Sequence, residues 1–66
     1  MNVQYPQVTV RLVGTDGNAF ALIGAVSRAL KNAGERDAAE AFTQSAFAAK
    51  SYDALLQLIC RTVEVE

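Results

Sequence analysis

Residues 14–34 constrain the fold of this 66-residue chain more than any other stretch, because they predict a turn and then a helix with clear ends. Asp16-Gly17 is typical of a turn, since Gly tolerates positive φ and Asp accepts hydrogen bonds from nearby backbone N–H groups. Either Asp16 or Asn18 can cap the helix, and Gly34 suits the position just past its end. At about 100° per residue, apolar side chains gather on one side of this helix: Ala19, Leu22, Ile23, Val26, Ala29, Leu30 and Ala33, with Phe20 at the edge.

We therefore predict a helix over residues 18–33 that packs on a core. Gly24 falls inside this helix, where Gly is roughly 1 kcal/mol less favourable than Ala. A functional explanation is the close approach of a ligand or of another backbone. The simpler explanation, tight packing of a second helix of the same fold, is the one we expect.

A strand is predicted before the turn. We interpret residues 1–6 as a loose lead-in, in which Pro6 fixes an extended approach. Residues 7–13 are rich in β-branched side chains and alternate as a half-buried strand does. One face carries Val8, Val10 and Leu12, and the other carries Thr9, Arg11 and Val13.

A second helix is predicted over residues 37–49, which are rich in Ala. Asp37 followed by Glu40 has the spacing of a capping box, with Asp in the role of Ser or Thr. Phe47 lies about 140° around this helix from Phe42, on the side expected to face solvent. Either Phe47 folds under a neighbouring element, or it marks a contact with another molecule. The side expected to face the core carries Ala38, Phe42, Ser45, Ala46 and Ala49.

The third helix follows Ser51, which is a suitable N-cap. We expect Leu56 and Ile59 to lie in the core and Cys60 to pack as a small apolar residue. Residues 62–66 alternate, and we interpret them as a short strand rather than a frayed helix end, because the first strand needs a pairing partner. The strongest amphipathic pattern of the chain runs through Tyr52, Leu55, Leu56, Ile59 and Val63.

These elements predict a single, mostly helical α+β domain over residues 1–66, in the order β-α-α-α-β. Three antiparallel helices between the two strands make the strands parallel. Although 52% of the residues are hydrophobic, twelve of them are Ala, and one Cys with no His allows neither an internal disulfide nor a Cys/His metal site. We therefore expect a homodimer or higher oligomer. The expected interface residues are Thr9, Arg11 and Val13 on the strand, and Phe47 on the second helix.

Charge and composition argue against several classes of function. The net charge is −1 and no basic stripe is visible, so we expect no nucleic-acid binding. No apolar run approaches the roughly 20 residues of a membrane span, and residues 1–6 lack the features of a signal peptide. Without His, the usual nucleophile–base pairs are missing. We expect a cytoplasmic protein that is not an enzyme and that uses no cofactor or metal.

One motif keeps the possibility of ligand binding open. Gly14-x-x-Gly17 before a helix start presents free N–H groups and a positive dipole end to an anion. The sequence lacks the Gly-Lys-Ser/Thr ending of a phosphate loop and the three-Gly dinucleotide fingerprint. A plain strand-to-helix turn is the simpler interpretation. The residues of this candidate site for a nucleotide or phosphate metabolite are Gly14, Thr15, Asp16, Gly17 and Asn18.

The segment Val10–Phe20, with its V-x-L-V-G-x-D-G-N-A-F pattern, resembles a family of small uncharacterised proteins from bacteria and their phages. Gly24, Tyr52-Asp53-x-Leu55-Leu56 and the terminal Val63-Glu64-Val65 resemble the same family. The resemblance implies no known activity and carries over no catalytic residue. It implies a phage or prophage accessory protein that binds a host component. Our leading hypothesis is accordingly a small interaction protein, with the small-ligand binder as the alternative.

Overall fold

Three helices lie between two short parallel strands that bring the two ends of the chain together. The computed structural model describes residues 3–12 and 17–66. The elements follow the predicted order β-α-α-α-β, and the predicted parallel pairing of the strands is confirmed. Their bounds are β1 Tyr5–Val10, α1 Ala19–Asn32, α2 Arg36–Phe47, α3 Tyr52–Thr62 and β2 Val63–Val65.

β1 begins two residues earlier than expected, at Tyr5, and includes Pro6. Its start is held by the far end of the chain, because Tyr5 pairs with Val63 and the Gln4 amide donates to the Arg61 carbonyl oxygen at 2.9 Å. The sequence of residues 1–6 contains no sign of this distant pairing. An irregularity in register separates the Tyr5 pair from the Thr9 and Val10 pairs.

The predicted alternation of β1 is confirmed within the described residues. Val8 and Val10 are buried and Leu12 is half-buried, whereas Thr9 and Arg11 are exposed. The sheet therefore has one face on the core and one face towards solvent.

α1 has the ends that the sequence predicts. The Phe20 amide donates to Asn18 Oδ1 at 2.8 Å, which makes Asn18 the N-cap. At the other end Gly34 has φ +84°, and the Glu35 amide donates to the Leu30 carbonyl oxygen at 2.9 Å. This is a Schellman turn, in which a left-handed residue lets the chain satisfy the last carbonyl groups of a helix. The buried side chains of α1 are Leu22, Ile23, Val26 and Leu30.

The expectation for Gly24 is wrong. A Cβ atom built on Gly24 meets no heavy atom of the described residues within 4 Å, once the backbone of its own helix is set aside. No second helix packs tightly there. Gly24 lies beside open space, and no neighbour among residues 3–12 and 17–66 requires the absence of a side chain at this position.

The capping box predicted at Asp37 is also wrong. α2 begins at Arg36, and Glu35, in the N-cap position, makes no side-chain capping hydrogen bond. The Schellman turn places the second helix directly after Glu35, which leaves Asp37 inside the first turn of α2. There its negative charge still interacts favourably with the positive end of the helix dipole. α2 ends at Phe47, two residues before the expected end, and it buries Ala39, Phe42 and Ala46 while Ser45 is exposed.

α3 begins as predicted, with the Ala54 amide donating to Ser51 Oγ at 3.0 Å. Its core contacts come from Leu55 and Ile59, which are buried, whereas Leu56 is half-buried and packs at the edge of the core. Cys60 is exposed, so the expectation that it packs as a small apolar residue is wrong. The predicted strand after α3 is confirmed, and Val63 at its start is fully buried.

Candidate interaction surface

Two aromatic side chains contact each other on the outside of the molecule. Phe20 is 70% exposed and Phe47 is 59% exposed, and their ring centroids lie 5.7 Å apart with a tilt of 49°. Tilted arrangements at this separation are favourable for aromatic pairs. Each ring therefore covers part of the other, although most of the surface of both rings faces solvent.

A depression lies beside the pair. We call it the aromatic groove, and its volume is about 270 Å³. It is walled by ends of all three helices, and its inner side reaches the buried side chains of Ile23, Ala46 and Leu55. Its remaining lining residues are Ala19, Phe20, Phe47, Ala49, Lys50, Ser51 and Tyr52.

The positions of the aromatic residues follow from the helix ends. Phe20 lies in the first turn of α1, Phe47 is the last residue of α2, and Tyr52 is the first residue of α3. A connection of only four residues, 48–51, separates the last two. Short connections keep consecutive helices adjacent. The start of α1 lies against the junction between α2 and α3, because Phe20 contacts Phe47.

A hydrogen bond between distant residues links a lining residue of the groove to the residues just before α1. The Tyr52 hydroxyl donates to the Gly17 carbonyl oxygen at 2.7 Å, across 35 positions of sequence. Tyr52 is nevertheless 47% exposed. Its ring thus belongs to the surface of the groove, while its hydroxyl fixes the residues that lead into α1.

Of the two alternatives for Phe47, folding under a neighbouring element is wrong, because the side chain is exposed. Sequence reasoning missed its contact with Phe20. The available signal was that Phe20 lies at the edge of the apolar face of α1, where a side chain reaches solvent. Nothing local indicated that two such residues, 27 positions apart, would meet.

One charged residue lines the groove, and one of opposite sign directly follows a lining residue in the sequence. Lys50 lines the groove, and Asp53 is exposed one residue after Tyr52. Within the described residues, no carboxylate lies within 4.0 Å of the Lys50 ammonium group. Asp53 Oδ2 accepts a hydrogen bond from Gln57 Nε2 at 2.9 Å. Lys50 is thus available to a negative charge on another molecule, whereas Asp53 is exposed but already accepts one hydrogen bond.

None of the other described residues predicted for a site lines the groove. Val13, Gly14, Thr15 and Asp16 lie outside the described residues. Gly17 and Asn18 are described, and they serve the fold by accepting hydrogen bonds from Tyr52 and Phe20. The anion site at this turn stays a prediction.

The two predicted interface residues on the strand lie elsewhere. Thr9 and Arg11 are exposed, and Arg11 Nη2 lies 3.7 Å from Glu66 Oε1. No lining residue of the groove comes from β1. Strand and groove are thus two separate candidate surfaces.

In the part of the chain that the structure describes, no group of three or more Cys, Asp or Glu side chains is arranged to hold a metal ion. Within the same residues, no helix has both the length and the apolar character needed to cross a membrane.

Comparison of the chain with protein-family models, with curated proteins and with solved structures finds no match. The aromatic groove is therefore the feature of the molecule that bears most directly on its function.

Proposed function

We propose that the protein is a non-catalytic interaction protein that binds another protein through the aromatic groove. The observation that supports this most is the exposed contact between Phe20 and Phe47 beside an apolar depression. Exposed apolar residues that occur singly are common and need no explanation. A clustered pair with an adjoining depression is typical of a binding surface, where aromatic residues supply much of the affinity.

The size of the surface favours a protein over a small molecule. With about 150–250 Å² of surface on each aromatic side chain, the exposed parts of Phe20, Phe47 and Tyr52 amount to roughly 350 Å². Apolar patches of about 300–600 Å² on monomers are often functional. The groove, at about 270 Å³, lies below the usual range of small-molecule pockets, about 300–1,000 Å³. It suits one large side chain of a partner.

The resemblance of residues 10–20 to small phage and bacterial proteins supports a proposal for the class of protein and for its partner. Under this proposal the protein is a cytoplasmic phage or prophage accessory protein, and its partner is a host component. The absence of His and the single exposed Cys60 agree with an action by binding rather than by catalysis.

A displayed library of random peptides tests the proposal without knowledge of the partner. Selection on the wild-type protein should enrich peptides that share one large apolar residue. Binding of these peptides should fall at least tenfold for Phe47→Glu, because a carboxylate there opposes desolvation of the groove. Chemical-shift changes on binding should centre on the residues that line the groove.

Thr9→Glu is the matched control, since it adds the same charge at an exposed position outside the groove. It should leave peptide affinity unchanged. Peptides that bind Phe47→Glu as well as the wild type, or that shift residues of β1 instead, would overturn the proposal.

A further inference from the structure

We infer that a second copy of this chain occupies the aromatic groove, through a two-fold axis that passes close to Phe47. This inference uses the same surface as the proposed function and names one occupant for it. It therefore makes self-association and partner binding competing events.

The surface has complementary features of its own. The Phe20–Phe47 pair projects into solvent, and the depression beside it accommodates one large side chain. In a two-fold arrangement, a projecting ring of each copy enters the depression of the other. Isologous contacts of this kind, in which the same patch is used twice, are the commonest form of protein dimer.

Two charged residues favour the same arrangement. Lys50 lines the groove, and Asp53, which carries the opposite charge, is exposed one residue after the lining residue Tyr52. A two-fold axis can place Lys50 of each copy near Asp53 of the other, so that both ions gain a partner. With a net charge of −1 on each chain, repulsion between copies is small.

The area argues for a weak dimer rather than a tight one. Three aromatic side chains from each of two copies supply roughly 700 Å², against about 1,200–2,000 Å² for stable interfaces. The rest must come from the rim. A standard half-interface of about 800 Å² is less than a fifth of the chain's 4439 Å² surface, so this is geometrically feasible. We expect dissociation constants in the micromolar range.

Pairing through the open edge of β1 is the competing route to a dimer, and the sequence of β1 disfavours this pairing. Pro6 lies within the strand and removes one backbone donor, and a register irregularity separates Tyr5 from Thr9. Proline and such irregularities are common protections of strand edges against pairing. Arg11 adds a charge directly after the strand. The aromatic groove has no comparable protection.

Sedimentation equilibrium over micromolar to millimolar concentrations tests the inference. The wild type should approach twice its 7.1 kDa mass, and its melting temperature should rise with concentration. Phe47→Glu should raise the dissociation constant at least tenfold, and Thr9→Glu should leave it unchanged. A wild type that stays monomeric throughout, or a dimer weakened only by Thr9→Glu, would overturn the inference.

Reversal of the charges on Lys50 and Asp53 tests the geometry. Lys50→Glu alone and Asp53→Lys alone each place like charges together, and each should weaken the dimer roughly fivefold or more. The double variant restores opposite pairs and should recover most of the wild-type affinity. Circular dichroism establishes that each variant is folded. A double variant weaker than either single variant contradicts the two-fold pairing.

The two proposals fail in different ways. A protein that stays monomeric but binds selected peptides through the groove retains the proposed function and excludes the second copy. If the protein dimerises through the groove but no selected peptide competes with dimer formation, the inference of a second copy stands and the proposed function is wrong.

Discussion

Gly24 and Gly34, which lie ten residues apart, affect the stability of the molecule in opposite ways. Gly34 has φ +84°, a conformation that costs an L-residue with a side chain about 1–2 kcal/mol. Gly24 has helical neighbours on both sides and open space where a Cβ atom would lie. Gly34 is needed for the turn between α1 and α2, whereas Gly24 only weakens its helix.

Gly24→Ala should therefore stabilise the protein by roughly 0.5–1 kcal/mol, because Ala reduces the conformational freedom of the unfolded chain and is the better helix former. Urea denaturation followed by circular dichroism measures the change. Gly34→Ala is the matched control, and it should destabilise the protein by about 1–2 kcal/mol. A lower urea midpoint for Gly24→Ala would show that a neighbour fills the space beside α1.

Single residues were predictable where their effect is local. Gly34 and Ser51 act on backbone groups within a few positions, so the sequence alone locates them. The N-cap of α1 is equally local, and the sequence narrows it to Asp16 or Asn18, of which Asn18 makes the capping hydrogen bond. The contact of Phe20 with Phe47 and the surroundings of Gly24 depend on where distant segments lie. Propensity and spacing contain no information on such distances.

At the scale of elements, α3 shows what helical periodicity determines and what it leaves open. The stripe of apolar residues was predicted, and the helix does bury that side. The buried residues of α3 are Leu55, Ile59 and Thr62, whereas Leu56 lies at the margin, Tyr52 reaches solvent and Val63 belongs to β2. Periodicity gives the width of an apolar face. The neighbouring elements decide which part of that face lies deepest.

Ile59→Ala should accordingly destabilise the protein by roughly 2–5 kcal/mol, since Ile59 is completely buried and its loss leaves a cavity. Leu56→Ala should cost markedly less, because Leu56 is only half-buried and surrounding solvent fills part of the space. Urea midpoints of the two variants provide the comparison. Equal losses would show that Leu56 contributes to the core as much as Ile59 does.

At the scale of the whole molecule, the parallel sheet joins the two ends of the chain. The parallel direction of the strands was predictable from the order of the elements. If the chain reverses direction at each connection, three helices between two strands leave the strands parallel. The register was not predictable. Tyr5 pairs with Val63 and Thr9 pairs with Glu64, so β1 advances by four residues where β2 advances by one. The aromatic groove likewise arises only once all three helices are assembled. Of the residues around it, only Phe47 was singled out beforehand as a possible contact.

The position of β2 leads to a prediction for the whole fold. Val63 is completely buried, and the strand it begins pairs with β1 at Tyr5, Thr9 and Val10. Burial of one Val side chain contributes about 1.5–3 kcal/mol, and the strand pairing adds to this. A 66-residue domain has a total stability of only about 3–10 kcal/mol.

A chain that ends at Thr62 should therefore lose about 3 kcal/mol or more, which is about a third or more of the total stability. Urea denaturation followed by circular dichroism should show the helices unfolding together at a lower urea midpoint, because one core serves all five elements. Glu66→Gln is the control, since it removes only the exposed ion pair with Arg11 at 3.7 Å and should change stability by less than about 0.5 kcal/mol. Should the truncated chain unfold cooperatively at the midpoint of the full-length protein, β2 would be an appendage and the three helices would be stable without it.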